Sequence, residues 1–418
     1  MKKVTKLVLL VGAAFGVCSA QAGSYQLNDY SVTGLGRSYA GQGIMGDDYS
    51  AIAFNPAGMT LMEKSGVQQV FNFINLRADV DGLGNHAGQH KKMDFWQPVP
   101  AGFAQYNVND RLKLGIGIYA PFGLKTQYDH GWFGKTAALL SKLDIVDFNF
   151  SAAYKVTDHL SLGASAILRY IYGRMTQSIP LNIPVPGLGL MPIGGGDVNF
   201  NVHGWTQTAA FGAMYEFNKN TRFGVSYRLR SAQRAKGHLK VSGNNPMSGL
   251  NGMYTVNANP DLPETVTFSA YHRYKDVGFS GTARFTHWTS SFPNFTIRSD
   301  WPGFAPNGEK KSYYKYHNSW TLTGGVDYYY CPNLTFRFGG GWDESPAHDA
   351  SRRTIRIPDN DRWWMSVGAS YMKNNWQIDV GYAHMIAKTA KALEDASVQA
   401  KYKNMQSHIL GVQVQYKF

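Results

Sequence analysis

Cysteine, charge and long apolar runs are all scarce in this chain of 418 residues. Two cysteines cannot build the dense disulfide framework of a small secreted domain. Beyond the N-terminus no apolar run approaches the roughly 18 residues of a membrane-spanning helix, which excludes a helical membrane protein. Only 17% of residues are charged. Glycine (45 residues) and aromatic residues (14%) are abundant instead, which excludes a disordered chain and favours one large β-sheet.

The first 22 residues have the three parts of a secretory signal peptide. Residues 2–6 are rich in lysine, residues 7–17 are apolar, and residues 20–22 form a small-x-small cleavage site. The alternative is a membrane anchor, for which the apolar run is too short. Cleavage before Gly23 predicts an exported protein that keeps only Cys331, so no disulfide within the chain can stabilise it.

Apolar and polar residues alternate with period two along most of the remaining chain. The clearest case is Trp376–Tyr382, in which the apolar side chains share one face and Gln377 and Asp379 lie on the other. Lipid on one side of a sheet and a wet lumen on the other require this pattern. Fourteen such segments begin near residues 65, 99, 111, 144, 159, 199, 221, 265, 277, 313, 334, 361, 376 and 407.

The connectors between these segments alternate in length. Short polar turns lie at residues 109–110, 157–158, 218–220, 275–276, 332–333 and 373–375, and between them lie connectors of about 17 to 34 residues. A soluble sandwich, the alternative, has no reason to sort its loops in this way. The sequence therefore predicts an all-β protein, a transmembrane antiparallel β-barrel of 14 strands over residues 65–418, in the outer membrane of a Gram-negative bacterium.

Residues 23–64 precede the first strand and do not alternate. Fourteen strands enclose a lumen too wide for side chains alone to fill. The segment carries apolar residues such as Leu27, Leu35 and Phe54 among several glycines, which suit a compact irregular path. We expect it to fold inside the lumen as an N-terminal hatch; the alternative is a disordered periplasmic tail.

Several motifs resemble those of the FadL family of long-chain fatty acid transporters. They are Gly34–Gly41 with Asn55-Pro56-Ala57, Leu262-Pro263-Glu264, residues 343–346 and residues 357–364, in family order through the mature chain. The resemblance implies a hatch-plugged barrel for passive uptake of long-chain fatty acids or, in other members, aromatic hydrocarbons. It also implies capture of the ligand by outer loops, a deeper pocket, and lateral exit at a kinked third strand.

The resemblance and the residues together give candidate sites for capture and gating. The loop at residues 176–197 is unusually apolar for an exposed segment, and we expect Ile183, Leu188 and Leu190 to capture a hydrophobic ligand. A packed lid is the alternative. For gating, the hatch contributes Gly36, Asn55, Pro56 and Ala57, although the last three also suit a purely structural corner.

The third strand contains Pro121 and Gly123, which resemble the kinked strand of the family. Proline cannot donate a ladder hydrogen bond and bends its strand, so we expect a lateral opening there. The alternative is that the strand simply ends at Tyr119.

A fatty acid also needs a partner for its carboxylate, and a cation in a low-dielectric pocket provides one. The resemblance implies an Arg and a Lys, and Arg174 and Lys315 lie near the matching positions. Tyr172 and Tyr316 are equally near. Tyrosines at the site would favour an uncharged aromatic or aliphatic ligand.

The remaining expectations concern partners and rival functions. The terminal Tyr416 and Phe418 resemble the signal read by the barrel-assembly machinery, and basic outer loops suit lipopolysaccharide or other anionic outer-leaflet lipid. Scattered basic residues do not suggest nucleic acid, and we expect a monomer. The motifs G-x-S-x-G, CxxC and HExxH are missing from the sequence, so we expect no enzyme, cofactor or metal. A general porin and an adhesin are the rivals.

Overall fold

The computed structural model describes residues 25–185, 189–244, 251–291, 295–302, 304–305, 307–312, 314–394 and 398–418. For residues 180–185, 189–194, 244, 290 and 291 it describes the backbone alone. The predicted signal peptide lies outside the described residues. None of the helices in the described part of the chain is long and apolar enough to cross a membrane.

The described residues form nineteen β-strands in one sheet. They are β1 (Gly66–Gly82), β2 (His90–Asn107), β3 (Leu112–Gln127), β4 (Leu140–Lys155), β5 (Leu160–Val185), β6 (Gly189–Asn218), β7 (Thr221–Arg228), β8 (Ala235–Asn244), β9 (Gly252–Asn259), β10 (Glu264–Tyr274), β11 (Val277–His287), β12 (Phe295–Ser299), β13 (Glu309–Ser312), β14 (Ser319–Cys331), β15 (Leu334–Asp343), β16 (Arg362–Lys373), β17 (Trp376–Ala387), β18 (Ala390–Leu393) and β19 (Gln399–Lys417).

Fourteen of these strands close into an antiparallel barrel, which confirms the predicted fold class. Strands β1 to β7 pair in chain order, and β10, β11, β14, β15, β16, β17 and β19 continue the ring. The ring closes where β1 pairs with β19, with Gly66 opposite Lys417. Closure gives every strand of the ring a paired neighbour on each side, as a barrel in lipid requires.

Side chains on the barrel wall alternate as the sequence predicted. In β7, Phe223 and Val225 are exposed, whereas Gly224 and Ser226, which alternate with them, are buried. The exposed set is the outward, lipid-facing surface, and the buried set faces the lumen.

The six short turns lie where the sequence places them, and the strands run further than predicted at the opposite, outer end. Strand β2 begins at His90 instead of near residue 99, and β19 begins at Gln399 instead of near 407, because both still pair with β1 there. The long connectors also contain the five remaining strands. Strands β8, β9, β12 and β13 extend the sheet beyond β6, and β18 pairs with β19.

The N-terminal segment, residues 25–64, is folded and mostly buried. It contains helices α1 (Val32–Gly36) and α2 (Ala51–Phe54) and a 3-10 helix at Pro56–Leu61. Helix α1 begins at Ser31, whose hydroxyl accepts a hydrogen bond from the Gly34 N–H at 2.9 Å.

Three hydrogen bonds tie this segment to strands spaced around the ring. The Val32 N–H donates to Gln413 on β19 at 2.9 Å, the Gln42 N–H to Thr282 on β11 at 3.1 Å, and Asn149 on β4 to the Ile52 carbonyl at 2.9 Å. A segment that contacts strands all around a closed barrel must lie within it.

Candidate functional site

An apolar chamber lies at the outer end of the barrel, above the N-terminal segment. Residues of β3, β4, β5, β6, β9 and β12 line it and leave about 670 Å³ of space between atoms, part of it open to solvent. Its side chains are shared between neighbouring strands, and no single strand supplies the surface. The chamber is lined by Tyr25, Leu124, Leu143, Ile171, Met175, Phe200, Val202, Ala258, Phe295, Tyr314 and Ile357.

A cluster of aromatic rings packs behind Tyr25, on the side of the chamber next to the N-terminal segment. The ring of Tyr25 lies 5.8 Å from that of Phe122 and 5.4 Å edge-on from that of Trp288. Trp288 in turn meets Tyr316 edge-on at 5.7 Å. These rings offer the flat apolar surface and edge-to-face geometry that hold alkyl chains and aromatic molecules alike.

One buried guanidinium, that of Arg356, reaches the chamber wall. It donates to Ser141 Oγ at 2.9 Å, to Gln177 Oε1 at 2.6 Å and to the Ala137 carbonyl. All of these acceptors are neutral, and no carboxylate lies within ion-pair distance of Arg356 among the described residues. Burial lowers the pKa of this guanidinium, and the negative charge of Glu394, beyond ion-pair distance, offsets only part of that effect.

Lys142 lies at the edge of the chamber on the outward face of β4, and its charge is already matched. Its ammonium lies 2.9 Å from the Asp144 carboxylate, on the same strand. Arg356 is therefore the cation at the chamber wall that a ligand carboxylate would neutralise.

The barrel wall has a gap next to the chamber. Strands β2 and β3 pair only between residues 102–107 and 113–118, whereas β3 stays paired with β4 as far as Gln127. Beyond Ile118, β3 is therefore no longer paired with β2. A β-bulge lies where this pairing ends, and its two residues, Ala120 and Pro121, are opposite Val146 on β4.

Prolines stand on both sides of this gap. Strand β2 carries Pro98 and Pro100 where it no longer has β3 as a neighbour, and β3 carries Pro121. Proline lacks an N–H and suits a strand edge without a partner. The spacing of Pro98 and Pro100 is a signal that our sequence interpretation missed.

The start of the N-terminal segment occupies the position that β2 leaves beside β3. The Leu27 N–H donates to the Pro121 carbonyl at 2.8 Å, and the Gly123 N–H donates to the Tyr25 carbonyl at 2.8 Å. Gln26 thus sits opposite Phe122 as a short added strand. This added strand separates the chamber from the wall gap.

A buried ion cluster holds the N-terminal segment to the barrel. Arg37 lies 2.8 Å from Asp327 on β14 and 2.7 Å from Asp47. Arg337 on β15 lies 3.1 Å from the same Asp47. Burial alone would raise the pKa of Asp47, but Arg37 and Arg337 outweigh it and lower the pKa below its usual range.

We expect Arg37→Met to loosen this attachment and raise ionic conductance in planar bilayers. Removing one partner of a buried ion pair costs about 3–5 kcal/mol, because Asp47 and Asp327 are then left with Arg337 as their one shared cation. The matched control is Arg77→Met, which removes an exposed ion pair with Asp94 and should leave conductance unchanged. Equal conductance of the two variants would show that Arg37 does not hold the segment closed.

The predicted hatch residues make close contacts with the wall. Asn55 accepts a hydrogen bond from the Ala57 N–H at 3.1 Å, which starts the 3-10 helix at Pro56. Its amide also reaches the Ala213 carbonyl on β6 at 3.2 Å. A Cβ on Gly36 would lie 3.0 Å from the Cα of a second glycine, Gly368 on β16, so only small residues fit there. Their role in gating stays a prediction.

The four predicted carboxylate partners do not come together. Arg174 and Tyr172 point away from the chamber, because Ile171 and Met175 on the same strand point into it. Lys315 is exposed, and its carbonyl accepts a hydrogen bond from Arg352 at 3.1 Å. Tyr316 is buried beside the chamber against Trp288. The structure brings Arg356 to the chamber instead.

The last two predicted sites are the apolar loop, of which part is described by its backbone alone, and the end of the chain. The apolar loop at residues 176–197 is a hairpin in which β5 and β6 remain paired from Leu160 to Val185. Leu188 and the side chains of Ile183 and Leu190 lie outside the described residues. At the other end of the chain, Phe418 is exposed and donates from its N–H to the Ser65 carbonyl at 2.8 Å.

Tyr416 lies beside this terminal residue, with its ring 4.7 Å from that of Trp376 on β17. The role of Tyr416 and Phe418 as an assembly signal stays a prediction.

A fourteen-stranded antiparallel barrel with short turns at one end, an exposed apolar outer face and a segment folded in its lumen defines an outer-membrane β-barrel. The chain belongs to the family described as outer membrane protein transport protein (OMPP1/FadL/TodX), which matches residues 13–418. The protein is thus located in the outer membrane, as the sequence predicted.

Relatives and solved structures agree with this assignment. The chain is 27% identical to the long-chain fatty acid transport protein of Escherichia coli O6:H1, over 95% of this chain and 94% of that protein. It is 28% identical to outer membrane protein P1 of Haemophilus influenzae, over 93% and 91% of the two chains.

Among solved structures, a Pseudomonas aeruginosa FadL homologue superposes with a TM-score of 0.83 at 22% identity, over 94% of this chain and 99% of that chain. The Ralstonia pickettii toluene transporter TbuX gives 0.65 at 21% identity, over 93% and 100%.

Proposed function

We propose that this protein takes up hydrophobic molecules that carry a carboxylate, with long-chain fatty acids as the preferred class. The observation that carries the proposal is the apolar chamber with the guanidinium of Arg356 at its wall. An alkyl chain would bury apolar surface against Ile171, Met175 and Phe200. Its carboxylate would form a charge-assisted hydrogen bond with a cation that has only neutral partners now.

The path that we propose leads from the chamber sideways through the wall gap. The chamber and the gap come closest near Phe122, which lies beside the bulge in β3 and packs against the chamber residue Tyr25. The added strand at residues 25–27 stands between them, so it must move for a ligand to pass. A sideways exit releases a hydrophobic molecule into lipid and spares it the transfer through water.

A second candidate class is uncharged aromatic hydrocarbons. The aromatic side of the chamber favours it, because Tyr25, Phe122, Trp288 and Tyr316 form a continuous set of ring contacts. A ligand of this class would bind those rings and leave Arg356 as it is.

Competition binding to the purified protein separates these candidates. We expect palmitate to bind at least about tenfold more tightly than hexadecanol, since a hydrogen bond to a charged group contributes roughly 1.5–3 kcal/mol. Hexadecanol has the same chain and serves as the matched control, and toluene is the third ligand. Equal affinity for palmitate and hexadecanol, with tighter binding of toluene, would favour the aromatic class. Failure of all three to bind would contradict the proposal.

A further inference from the structure

The outward surface above the lipid-facing band carries a group of cations in register on neighbouring strands. Lys125 on β3 lies opposite Lys142 on β4, and Lys142 lies opposite Arg174 on β5. Arg174 in turn lies opposite Asn201 on β6, and Asn201 lies opposite His238 on β8. Directly paired residues in a sheet point to the same side, so this row shares one face.

Two more lysines extend this face on β8. Lys236 lies opposite His203, and Lys240 lies opposite Asn199, each two residues from His238. We call Lys125, Arg174, Lys236 and Lys240 the basic face. The intervening residues Leu124, Met175 and Leu239 belong to the chamber, so the basic face points away from it and toward the outside of the barrel.

The basic face has little negative charge to balance it. The two carboxylates in its rows are Asp144, which pairs with Lys142 at 2.9 Å, and Asp197, which accepts a hydrogen bond from Ser178 at 2.9 Å. Within the described residues, none of the four cations has a carboxylate at ion-pair distance. The Nε of Arg174 is buried and finds no acceptor among them either.

Its height on the barrel places this face at the outer lipid headgroups. Trp205 on β6 is 54% exposed and contacts Tyr170 at 4.9 Å and Phe148 at 5.7 Å, as in an interfacial aromatic girdle. The exposed Phe217 lies near the turn at the other end of the same strand. With a rise of about 3.3 Å per residue and a strand tilt of about 40°, the height from Trp205 to Phe217 along the membrane normal is roughly 30 Å. This height is close to that of the usual apolar band. The basic face begins just beyond Trp205.

We propose that the basic face binds the phosphate groups of a phosphorylated lipid of the outer leaflet. The charge is complementary, Arg and Lys are the side chains that bind phosphate oxygens, and the face continues the lipid-facing surface without a break. The acyl chains of such a lipid would pack on the exposed side chains of Trp205 and Phe211 below. This site lies on the outside of the barrel and is independent of ligand uptake through the chamber.

The test compares two triple variants of the full chain in detergent. Arg174→Gln/Lys236→Gln/Lys240→Gln removes three cations of the basic face. Arg111→Gln/Lys219→Gln/Lys373→Gln removes three exposed cations at the turn end of the barrel and is the matched control. The probe is purified lipid A with both phosphates, its dephosphorylated form, and inorganic phosphate. Heat-modified gel mobility verifies that each variant is a folded barrel.

We expect lipid A to bind roughly 100-fold more weakly to the first variant. Each cation near a membrane surface contributes about a fivefold gain in affinity, and this variant lacks three of them. The control variant should bind like the original chain, and dephosphorylated lipid A should bind the original chain as weakly as lipid A binds the first variant. Equal lipid A affinity of the two variants, or of the two lipids, would overturn the proposal. Displacement by millimolar inorganic phosphate would also overturn it, because the face would then be a site for soluble anions.

If the first triple variant does not fold, the single variant Lys240→Gln decides the question. Lys240 is exposed and its removal leaves the neighbouring ladder intact. We expect about a fivefold loss of lipid A affinity for this variant. Unchanged affinity would count against the basic face as the lipid site.

Discussion

A disulfide between positions 26 and 122 is expected to stop uptake of hydrophobic ligands. The variant is Gln26→Cys/Phe122→Cys in a Cys331→Ser background, because Cys331 is a free, exposed cysteine. The bond would fix the added strand at residues 25–27 in its place beside β3. If a ligand must displace this strand to reach the wall gap, uptake of labelled palmitate by oxidised cells should fall to that of cells without the protein.

The local geometry suits such a bond. Gln26 and Phe122 face each other between the two hydrogen bonds Leu27 N–H to Pro121 and Gly123 N–H to Tyr25, so they form a non-hydrogen-bonded antiparallel pair. The Cα atoms of such pairs lie about 4.5 Å apart, at the short end of the range found in disulfides. The crosslink therefore needs little movement of either backbone.

Reduction and single substitutions separate the crosslink from the loss of the two side chains. Phe122→Cys alone removes a chamber ring and sets the baseline for ligand binding. A reducing agent should return uptake in the double variant to that baseline. Full uptake with the disulfide shown to be closed by thiol labelling would mean that ligands leave by another path.

The turn end of the barrel could be predicted from sequence because its signals are local. Asn218, Lys275 and Asn333 belong to short polar turns, and the strands that follow begin within a residue or so of the prediction. The outer end of the barrel has no short polar turns of this kind to indicate where its strands begin and end. Residues 90–98 begin with three basic residues and do not alternate strictly between apolar and polar, so the sequence assigns them to a loop. They form a strand because β1 pairs with them along their whole length.

The chamber could be predicted only in outline. Alternation along β5 separates Ile171 and Met175 from Arg174, but the sequence does not say which set faces inward. Arg356 belongs to a connector far along the chain from its partners Ser141 and Gln177. Only the closed barrel brings these residues together, so the family resemblance, which implies an Arg and a Lys on barrel strands, indicated Arg174 and Lys315 and not Arg356.

Of all single substitutions in the chamber, replacement of Arg356 should have the largest effect on the affinity for charged ligands relative to that for uncharged ligands. We expect Arg356→Gln to weaken palmitate binding by about tenfold or more, because a hydrogen bond to a charged group contributes roughly 1.5–3 kcal/mol. Binding of hexadecanol should change by less, since its hydroxyl gains little from a full charge. Arg356→Lys retains a cation and should keep most of the preference for palmitate.

The pH dependence of the same preference gives an independent check. A carboxylic acid ligand loses its charge as the pH falls below about 4.3, whereas Arg356 stays protonated throughout. The preference of the original chain for palmitate over hexadecanol should therefore disappear at low pH, and Arg356→Gln should show little pH dependence. The Gln substitution also removes donors to the Ala137 carbonyl and to Gln177, so hexadecanol binding reports any loss of chamber structure. Equal losses of palmitate and hexadecanol affinity would show that Arg356 only supports the chamber wall and does not bind a carboxylate.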